Sequence, residues 1–171
     1  MALLTIRQYG DPVLRQTAEE ATNINGTLAQ LAQDMLATMK SAKGVGLAAN
    51  QVGSLVRLYV VDTSPFLLNG GTLVLINPRV VETKGEETAE EGCLSIPGIY
   101  EDIVRPQSAT VEGLDLDGKK ATYEGKGMVA RVFLHELDHL NGVLFIDHLS
   151  PAKRELLKSR LREIKEKHWA L

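Results

Sequence analysis

The sequence contains almost no cysteine. Cys93 is the only one among 171 residues, so the chain cannot form an internal disulfide, which fits a reducing compartment. No segment approaches the roughly twenty apolar residues that span a membrane. The first residues reach charge and proline too soon for a secretory signal peptide. We therefore expect a soluble, cytoplasmic protein with no membrane partner.

Internal repeats, low-complexity linkers and a large excess of one charge are absent as well. Hydrophobic residues make up 44% of the chain, charged residues 24%, and the formal net charge is -3. This composition favours one folded domain over residues 1–171 and excludes both a strongly basic nucleic-acid binder and a disordered acidic chain. Nothing in the sequence requires an oligomer, so we expect a monomer.

Three segments have helical periodicity, and the segments typical of strands cluster between them. The predicted helices are 25–42, 126–140 and the stretch after Ser150-Pro151, and the predicted strands are 56–62, 72–78 and a hairpin about Asp117-Gly118. The order shows no regular alternation of strand and helix. We therefore predict an α+β fold, with antiparallel or mixed sheets around the second helix and with an N-terminal and a C-terminal helix.

The second predicted helix contains the sequence His-Glu-Leu-Asp-His over residues 135–139. Residues four apart lie one above the other on a helix, so His135 and His139 can bind one ion. Glu136 can then reach a water molecule on that ion, as in metalloproteases that carry the same motif. Two surface histidines would be the alternative, but the chain has only four histidines. The spacing therefore predicts a metal site.

Two histidines leave a catalytic metal one protein ligand short. Downstream candidates are Asp147, His148, Glu155 and Glu163, and His148 lies in a segment that reads as extended. Cys93 is the other candidate, because thiolates bind soft and borderline metals strongly. Spacing alone does not choose between them. Asp138 is either an outer partner of the site or a residue that faces solvent.

Three motifs together resemble the signature of the peptide deformylase family, in the order found there. They are Gly44-Val45-Gly46-Leu47-Ala48-Ala49-Asn50-Gln51, Glu91-Gly92-Cys93-Leu94-Ser95 and His135-Glu136-Leu137-Asp138-His139. The opening Gly10-Asp11-Pro12-Val13-Leu14-Arg15 is also similar to that family, and the long C-terminal helix resembles its bacterial form. The resemblance covers nearly the whole chain.

The resemblance implies an activity and a metal. The activity is hydrolysis of the formyl group from the N-terminal formyl-methionine of nascent polypeptides, with release of formate. Cys93, His135 and His139 would hold one divalent ion, most often Fe2+, which Zn2+ or Ni2+ can replace. Hydroxide on that ion would attack the formyl carbonyl, with Glu136 as general base and then general acid.

The resemblance also assigns the groups around the substrate. The side-chain amide of Gln51 and the backbone N–H of Leu94 would stabilise the oxyanion. The substrate would lie extended beside Val45, Gly46 and Gly92, and its methionine side chain would enter an apolar pocket. Residues proposed to line that pocket, or else to belong to the plain core, are Val45, Met128 and Val132. The turn before Gln51 would, without the other motifs, read equally well as the end of a helix.

Two further expectations concern the surroundings of the motifs. Glu91 and Arg105 either form an ion pair that braces the cysteine segment or are two independent surface charges. Leu134 stands where the family usually has glutamine before the first metal histidine, so any hydrogen bond of that glutamine is lost.

The C-terminal segment 150–171 carries seven Lys or Arg and three Glu. Such a helix is usually a solvated face, but the resemblance implies contact with the ribosome, where basic residues would meet RNA phosphates. Two other functions stay open at this point. A general HExxH metallopeptidase would take its third ligand downstream of His139, and a ribosome-associated module could bind metal without catalysis.

Overall fold

The computed structural model describes residues 1–169, and this part of the chain is α+β, as predicted. Its helices are α1 (Gly26–Ser41), α2 (Met128–Leu140) and α3 (Pro151–Trp169). Its strands are β1 (Gly46–Ala48), β2 (Leu58–Asp62), β3 (Thr72–Lys84), β4 (Glu87–Cys93), β5 (Ile96–Arg105), β6 (Ser108–Leu114) and β7 (Lys120–Lys126). No helix within residues 1–169 is both long and apolar enough to cross a bilayer.

The strands form two antiparallel sheets. Five of them follow the order β1-β2-β3-β6-β7, and β4 pairs only with β5 in a separate hairpin. Strand β1 is therefore an edge, with β2 on one side and no other strand of residues 1–169 on the other. The hairpin holds Cys93 at the last residue of β4.

Helix α2 lies at the centre because most of its side chains are apolar. One cluster of buried residues joins α2 to the five-stranded sheet and includes Val132, Phe133 and Leu137 from the helix and Tyr59 and Val61 from β2. A second cluster joins β5 to α3 through Ile99, Ile103, Leu157, Leu161 and Ile164. The face of α2 that carries His135 and His139 therefore lies between a sheet and a hairpin that have separate hydrophobic clusters.

The predicted helices agree with local capping. The side chain of Asn25 accepts a hydrogen bond from Leu28 N and begins α1. Gly142 follows the end of α2 with φ of 74°, a left-handed conformation that glycine adopts without steric cost.

Three details of the sequence prediction need correction. The segment at His148 is not extended, because residues Phe145–His148 form a short 3-10 helix in which Asp147 accepts from Leu144 N. Strand β3 runs on to Lys84, past Pro78, because the ladder is irregular between Ile76 and Arg79 and requires no proline N–H there. The hairpin β4–β5 was not predicted at all.

Candidate active site

Helix α2 and the β4–β5 hairpin bring three ligand atoms together. The Nε2 atoms of His135 and His139 lie 3.2 Å apart, and Cys93 Sγ lies 3.2 Å from His139 Nε2. All three atoms lie within 4.8 Å of one another, and no other such group of metal-ligating side chains occurs within residues 1–169. One soft thiol and two imidazoles that converge on a point are a donor set for a borderline divalent metal.

The protonation of the two imidazoles depends on the groups next to them. His135 Nδ1 lies 2.7 Å from Glu91 Oε2, and since a carboxylate only accepts, Nδ1 donates and Nε2 is the atom directed at the metal site. Burial lowers the pKa of His139 well below its ordinary value. Burial opposes the charge on His135 too, but hydrogen bonds with Cys93 and Glu91 raise its pKa well above the ordinary value. Metal binding would therefore displace a proton from His135.

The downstream candidates for a third ligand lie elsewhere. Asp147 binds Arg15 at 2.6 Å, and His148 Nε2 binds Asp138 Oδ2 at 2.8 Å. Glu155 and Glu163 are exposed on α3. The structure thus places Cys93, and none of these four residues, beside the histidines.

Glu136 is buried next to the face of α2 that carries His135 and His139, and its carboxylate lies against Gly46 of β1. A methyl group on Gly46 would come within 2.5 Å of Glu136 Oε1, so only glycine fits there. Burial raises the pKa of Glu136 to about 7 from 4.5. Its Oε2 atom has no hydrogen-bond partner among residues 1–169. The carboxyl group is thus in the range that proton transfer at neutral pH requires.

Gln51 lies between the cysteine segment and β1. Its Oε1 accepts from Ala48 N at 2.9 Å, and its Nε2 donates to Ser95 Oγ at 3.0 Å and to Cys93 Sγ at 3.6 Å. The amide N–H groups therefore point toward the thiol. Leu94 packs its side chain over Gly44, where an added Cβ would lie 2.6 Å from Leu94 Cδ1.

Glu91 and Arg105 form the predicted ion pair, and it is buried and bidentate. Arg105 Nε donates to Glu91 Oε1 at 2.8 Å and Arg105 Nη2 donates to Glu91 Oε2 at 2.7 Å. Burial by itself would raise the pKa of Glu91, but hydrogen bonds from Arg105 and His135 outweigh it and hold that pKa well below its ordinary value. Arg105 also binds Asp138 at 2.9 Å, so Asp138 belongs to this network.

Sequence reasoning missed one member of the network, Arg131. Its Nη1 donates to Glu91 Oε1 at 3.1 Å, and its side chain is 4% exposed. The available signal was position, since Arg131 lies four residues before His135 on the same face of α2.

A cleft of about 380 Å³ is lined by Cys93, His135 and Glu136. All five residues predicted to contact the substrate line it, namely Val45, Gly46, Gly92, Met128 and Val132. Met128 is 39% exposed and Val132 is 6% exposed, so Val132 belongs both to the cleft wall and to the core. At Gly92 an added Cβ would lie 2.5 Å from Tyr100 Cε1, so this glycine makes room for Tyr100 across the hairpin.

Comparison with known proteins agrees with the site. The sequence model of the family described as polypeptide deformylase matches residues 3–155. The chain belongs to the polypeptide deformylase family. A peptide deformylase of Thermodesulfovibrio yellowstonii is 48% identical over 162 residues, which cover 95% of this chain and 98% of the relative. One of Thermoanaerobacter pseudethanolicus is 44% identical, over 96% of this chain and the whole relative.

Solved structures of peptide deformylases also share the fold. The enzyme of Legionella pneumophila aligns with a TM-score of 0.89 at 41% identity and covers 96% of each chain. The enzyme of Thermus thermophilus aligns with a TM-score of 0.89 at 40% identity, over 97% of this chain and 99% of the other. Leu134, the position at which the sequence departs from the family motif, packs with Ala109 and Ala130.

Proposed function

We propose that this chain is a metal-dependent hydrolase that removes the formyl group from the formyl-methionine of nascent polypeptides and releases formate. One observation carries the proposal: Cys93, His135 and His139 converge beside a buried Glu136, at a cleft that Cys93, His135 and Glu136 line. Family membership supports the substrate. The proposed catalytic domain spans residues 1–171, of which Ala170 and Leu171 lie outside the described residues.

In this proposal Cys93, His135 and His139 hold one divalent ion, Fe2+ in the first place, with Zn2+ or Ni2+ as substitutes. When bound, the ion supplies a Lewis acid that lowers the pKa of water from 15.7 toward roughly 7. The fit rests on the Nε2 atoms of His135 and His139, 3.2 Å apart, and on the Cys93 thiol, 3.2 Å from His139 Nε2. Glu91 acts on the site through its hydrogen bond to His135.

Glu136 moves the protons. As a carboxylate it takes a proton from the attacking water, and as an acid it returns that proton to the amine that leaves. Burial raises its pKa from 4.5 to about 7 in the protein without metal, which favours uptake of a proton. The C–N bond of the formamide breaks, and the products are formate and a free amino terminus.

Gln51 and Leu94 stabilise the oxyanion in this proposal. The amide of Gln51 is held in place through Ala48 N and Ser95 Oγ, so it needs little reorganisation to donate. The backbone N–H of Leu94 follows Cys93 directly and would be the second donor. Loss of one donor of this kind costs about 3 to 4 kcal/mol in the transition state.

The substrate backbone would pair with the free edge of β1, next to Val45 and Gly46, and on its other side with the segment at Gly92. The methionine side chain would lie between Met128 and Val132. Met128 is suited to this contact because its thioether is flexible and polarizable.

The decisive test is anaerobic hydrolysis of a formyl-Met dipeptide by protein loaded with Fe2+. We expect formate release by the wild-type chain and a loss of about 10²- to 10⁴-fold in Glu136→Gln, which keeps its metal. Cys93→Ser should lose both metal and activity. Wild-type protein that binds metal without releasing formate would leave a metal-binding module, and cleavage of unformylated peptides would indicate a general metallopeptidase.

We also propose contact between α3 and ribosomal RNA, by a cytoplasmic monomer. Supporting this, Arg15, Arg154, Lys158, Arg162 and Lys165 line a groove of about 550 Å³ between α3 and the N-terminal segment. The paired charge reversals Lys158→Glu and Arg162→Glu should weaken cosedimentation with ribosomes and reduce its salt dependence, with formate release unchanged. Lys84→Glu on the exposed end of β3 is the matched control, and equal binding by both variants would refute the contact.

A further inference from the structure

Arg131 connects the helix that carries the two histidines to the hairpin that carries the cysteine. Its side chain leaves α2 and is only 4% exposed. Nη1 donates to Ile103 O of β5 at 2.8 Å and Nη2 donates to Glu87 O of β4 at 2.9 Å. With the bond to Glu91, one guanidinium binds both strands of the hairpin at three points.

The hairpin needs such a connection because it is not part of the larger sheet. Strand β4 pairs only with β5 over residues 1–169, and Cys93 ends β4. The distance from Cys93 Sγ to the histidine Nε2 atoms is therefore set by how the hairpin is placed against α2. A metal site tolerates only small changes in ligand distance, on the order of 0.2 Å.

Arg131 also fixes the carboxylate that orients His135. Glu91 Oε1 accepts from Arg105 Nε and from Arg131 Nη1, while Glu91 Oε2 accepts from Arg105 Nη2 and from His135 Nδ1. Each oxygen thus has two donors. The positive charges of the two arginines are matched by the carboxylates of Glu91 and Asp138.

We infer that Arg131 is a positioning residue of the metal centre, which acts by docking the β4–β5 hairpin on α2 and by holding Glu91 against His135. The inference rests on the proposed role of Cys93, His135 and His139 as metal ligands. Arg131 contacts neither the metal nor the reacting atoms in this scheme. Its effect passes through Glu91 and through the placement of Cys93.

The test is a Zn2+ competition titration against a chromophoric chelator, in the purified full chain. Arg131→Met keeps the length of the side chain and removes its donors, and we expect its Kd for Zn2+ to rise by about 10- to 100-fold, the range found for outer partners of metal ligands. Arg131→Lys keeps the positive charge, but its donors all lie on one nitrogen and cannot span the three acceptors, so its Kd should lie between those of wild type and Arg131→Met.

Arg57→Met is the matched control. Arg57 Nη1 lies 3.4 Å from Leu140 O at the other end of α2 and has no contact with Glu91. We expect this variant to change the Kd by less than about twofold. Urea unfolding of the metal-free proteins shows how far each variant is destabilised, so that a general loss of stability is separated from a loss of metal affinity.

A double-mutant cycle decides whether the effect passes through Glu91. In a Glu91→Gln background, Arg131→Met should raise the Kd by a smaller factor than it does in wild type, because only its bonds to Ile103 O and Glu87 O remain to be lost. Full additivity, or a Kd for Arg131→Met equal to that of wild type, would overturn the inference. Wild-type protein that binds no Zn2+ or releases no formate would instead refute the proposed function, so the two failures are distinguishable.

Discussion

At the scale of single residues, Glu136 shows how burial can shift the pKa of a carboxyl group toward neutral pH. It lies on α2 between two histidines, yet its carboxylate faces Gly46 of β1 and has one oxygen without a hydrogen-bond partner in the described part of the chain. Burial disfavours the charged form and raises the pKa to about 7. A group that must take and return a proton at neutral pH works best near that value.

The first prediction is that Glu136 titrates near pH 7 in the metal-free protein. Because the pKa is raised, the group is protonated below that pH and ionised above it. Added Zn2+ should move the midpoint to lower pH, since a nearby cation favours the carboxylate. Carbonyl 13C NMR would measure this, with Glu136→Gln for assignment. A midpoint near the ordinary value of 4.5 without metal would contradict it.

Catalysis should consequently be lost on the acid side. As the pH falls through the pKa of Glu136 in the loaded enzyme, the base becomes protonated and kcat/KM should fall about tenfold per pH unit. Initial rates of formate release between about pH 5 and 8 would show this slope. A rate independent of pH over that range would argue against Glu136 as the base.

The second prediction concerns Gly46→Ala. The new Cβ would lie 2.5 Å from Glu136 Oε1 and 2.8 Å from its Cγ, so the carboxyl group must move. A displacement of about 1 Å costs on the order of 10²-fold in rate, and we expect that loss in kcat. Gly71→Ala is the control, because an added Cβ there meets nothing within 4 Å. Equal rates for the two variants would refute the close contact.

At the scale of elements, the hairpin β4–β5 is the part of the site that depends most on side-chain contacts. Its attachment to α2 runs through Glu91, Arg105 and Arg131, which are all nearly excluded from water. Buried charges are stabilising only while each retains its partner. The hairpin should therefore be more sensitive to loss of one charge than any surface strand.

A third prediction follows for Arg105→Met. It leaves Glu91 and Asp138 without their shared partner, and breaking a buried pair in this way costs about 3 to 5 kcal/mol in free energy of unfolding. Urea denaturation would measure the change. Arg79→Met removes an ion pair with Glu112 in which the arginine is 72% exposed, and it should leave stability nearly unchanged. Similar values for both variants would contradict the prediction.

The same elements show what the sequence can reveal. All three helices were predicted because their apolar residues recur with helical spacing and because Asn25 and Gly142 lie at their ends. The hairpin was missed because β4 (Glu87–Cys93) has only one fully buried position, Glu91, so it has no apolar alternation. Its stability comes from partners distant in sequence, and no local pattern records them.

The candidate site likewise contains residues that the sequence predicts and residues that it does not. His135, Glu136 and His139 are set by spacing on one helix, whereas Cys93 could be chosen over the downstream candidates only by family resemblance. The role of Arg131 could not be predicted from the sequence, because two of its three acceptors are backbone carbonyls of the hairpin that the sequence did not predict.

At the scale of the whole molecule, the candidate ligands come from two parts with separate hydrophobic clusters. Cys93 packs with the cluster of β5 and α3, whereas α2 packs mainly with the five-stranded sheet. An ion bound between them would join the two parts. Its binding free energy would then contribute to the stability of the entire fold.

The fourth prediction is a rise in unfolding temperature when metal is added. At a free Zn2+ concentration of about 100 Kd the native state gains about 2.7 kcal/mol. Differential scanning calorimetry of wild type and Cys93→Ser, each with and without Zn2+, would measure it. The variant should lose the metal-dependent rise yet unfold near wild type without metal. If Zn2+ leaves the unfolding temperature of wild type unchanged, the proposed contribution of the ion to the stability of the fold is refuted.

The free edge of β1 bears on which proteins such an enzyme can serve. An edge strand offers backbone N–H and C=O groups, and these recognise the one feature that all polypeptides share. Beyond the formyl group and the first side chain, the proposed enzyme would read almost no sequence. It would therefore act on the newly made proteins of a cell as if they were a single substrate. Its rate of deformylation would depend on the overall rate of translation and not on the abundance of any one protein.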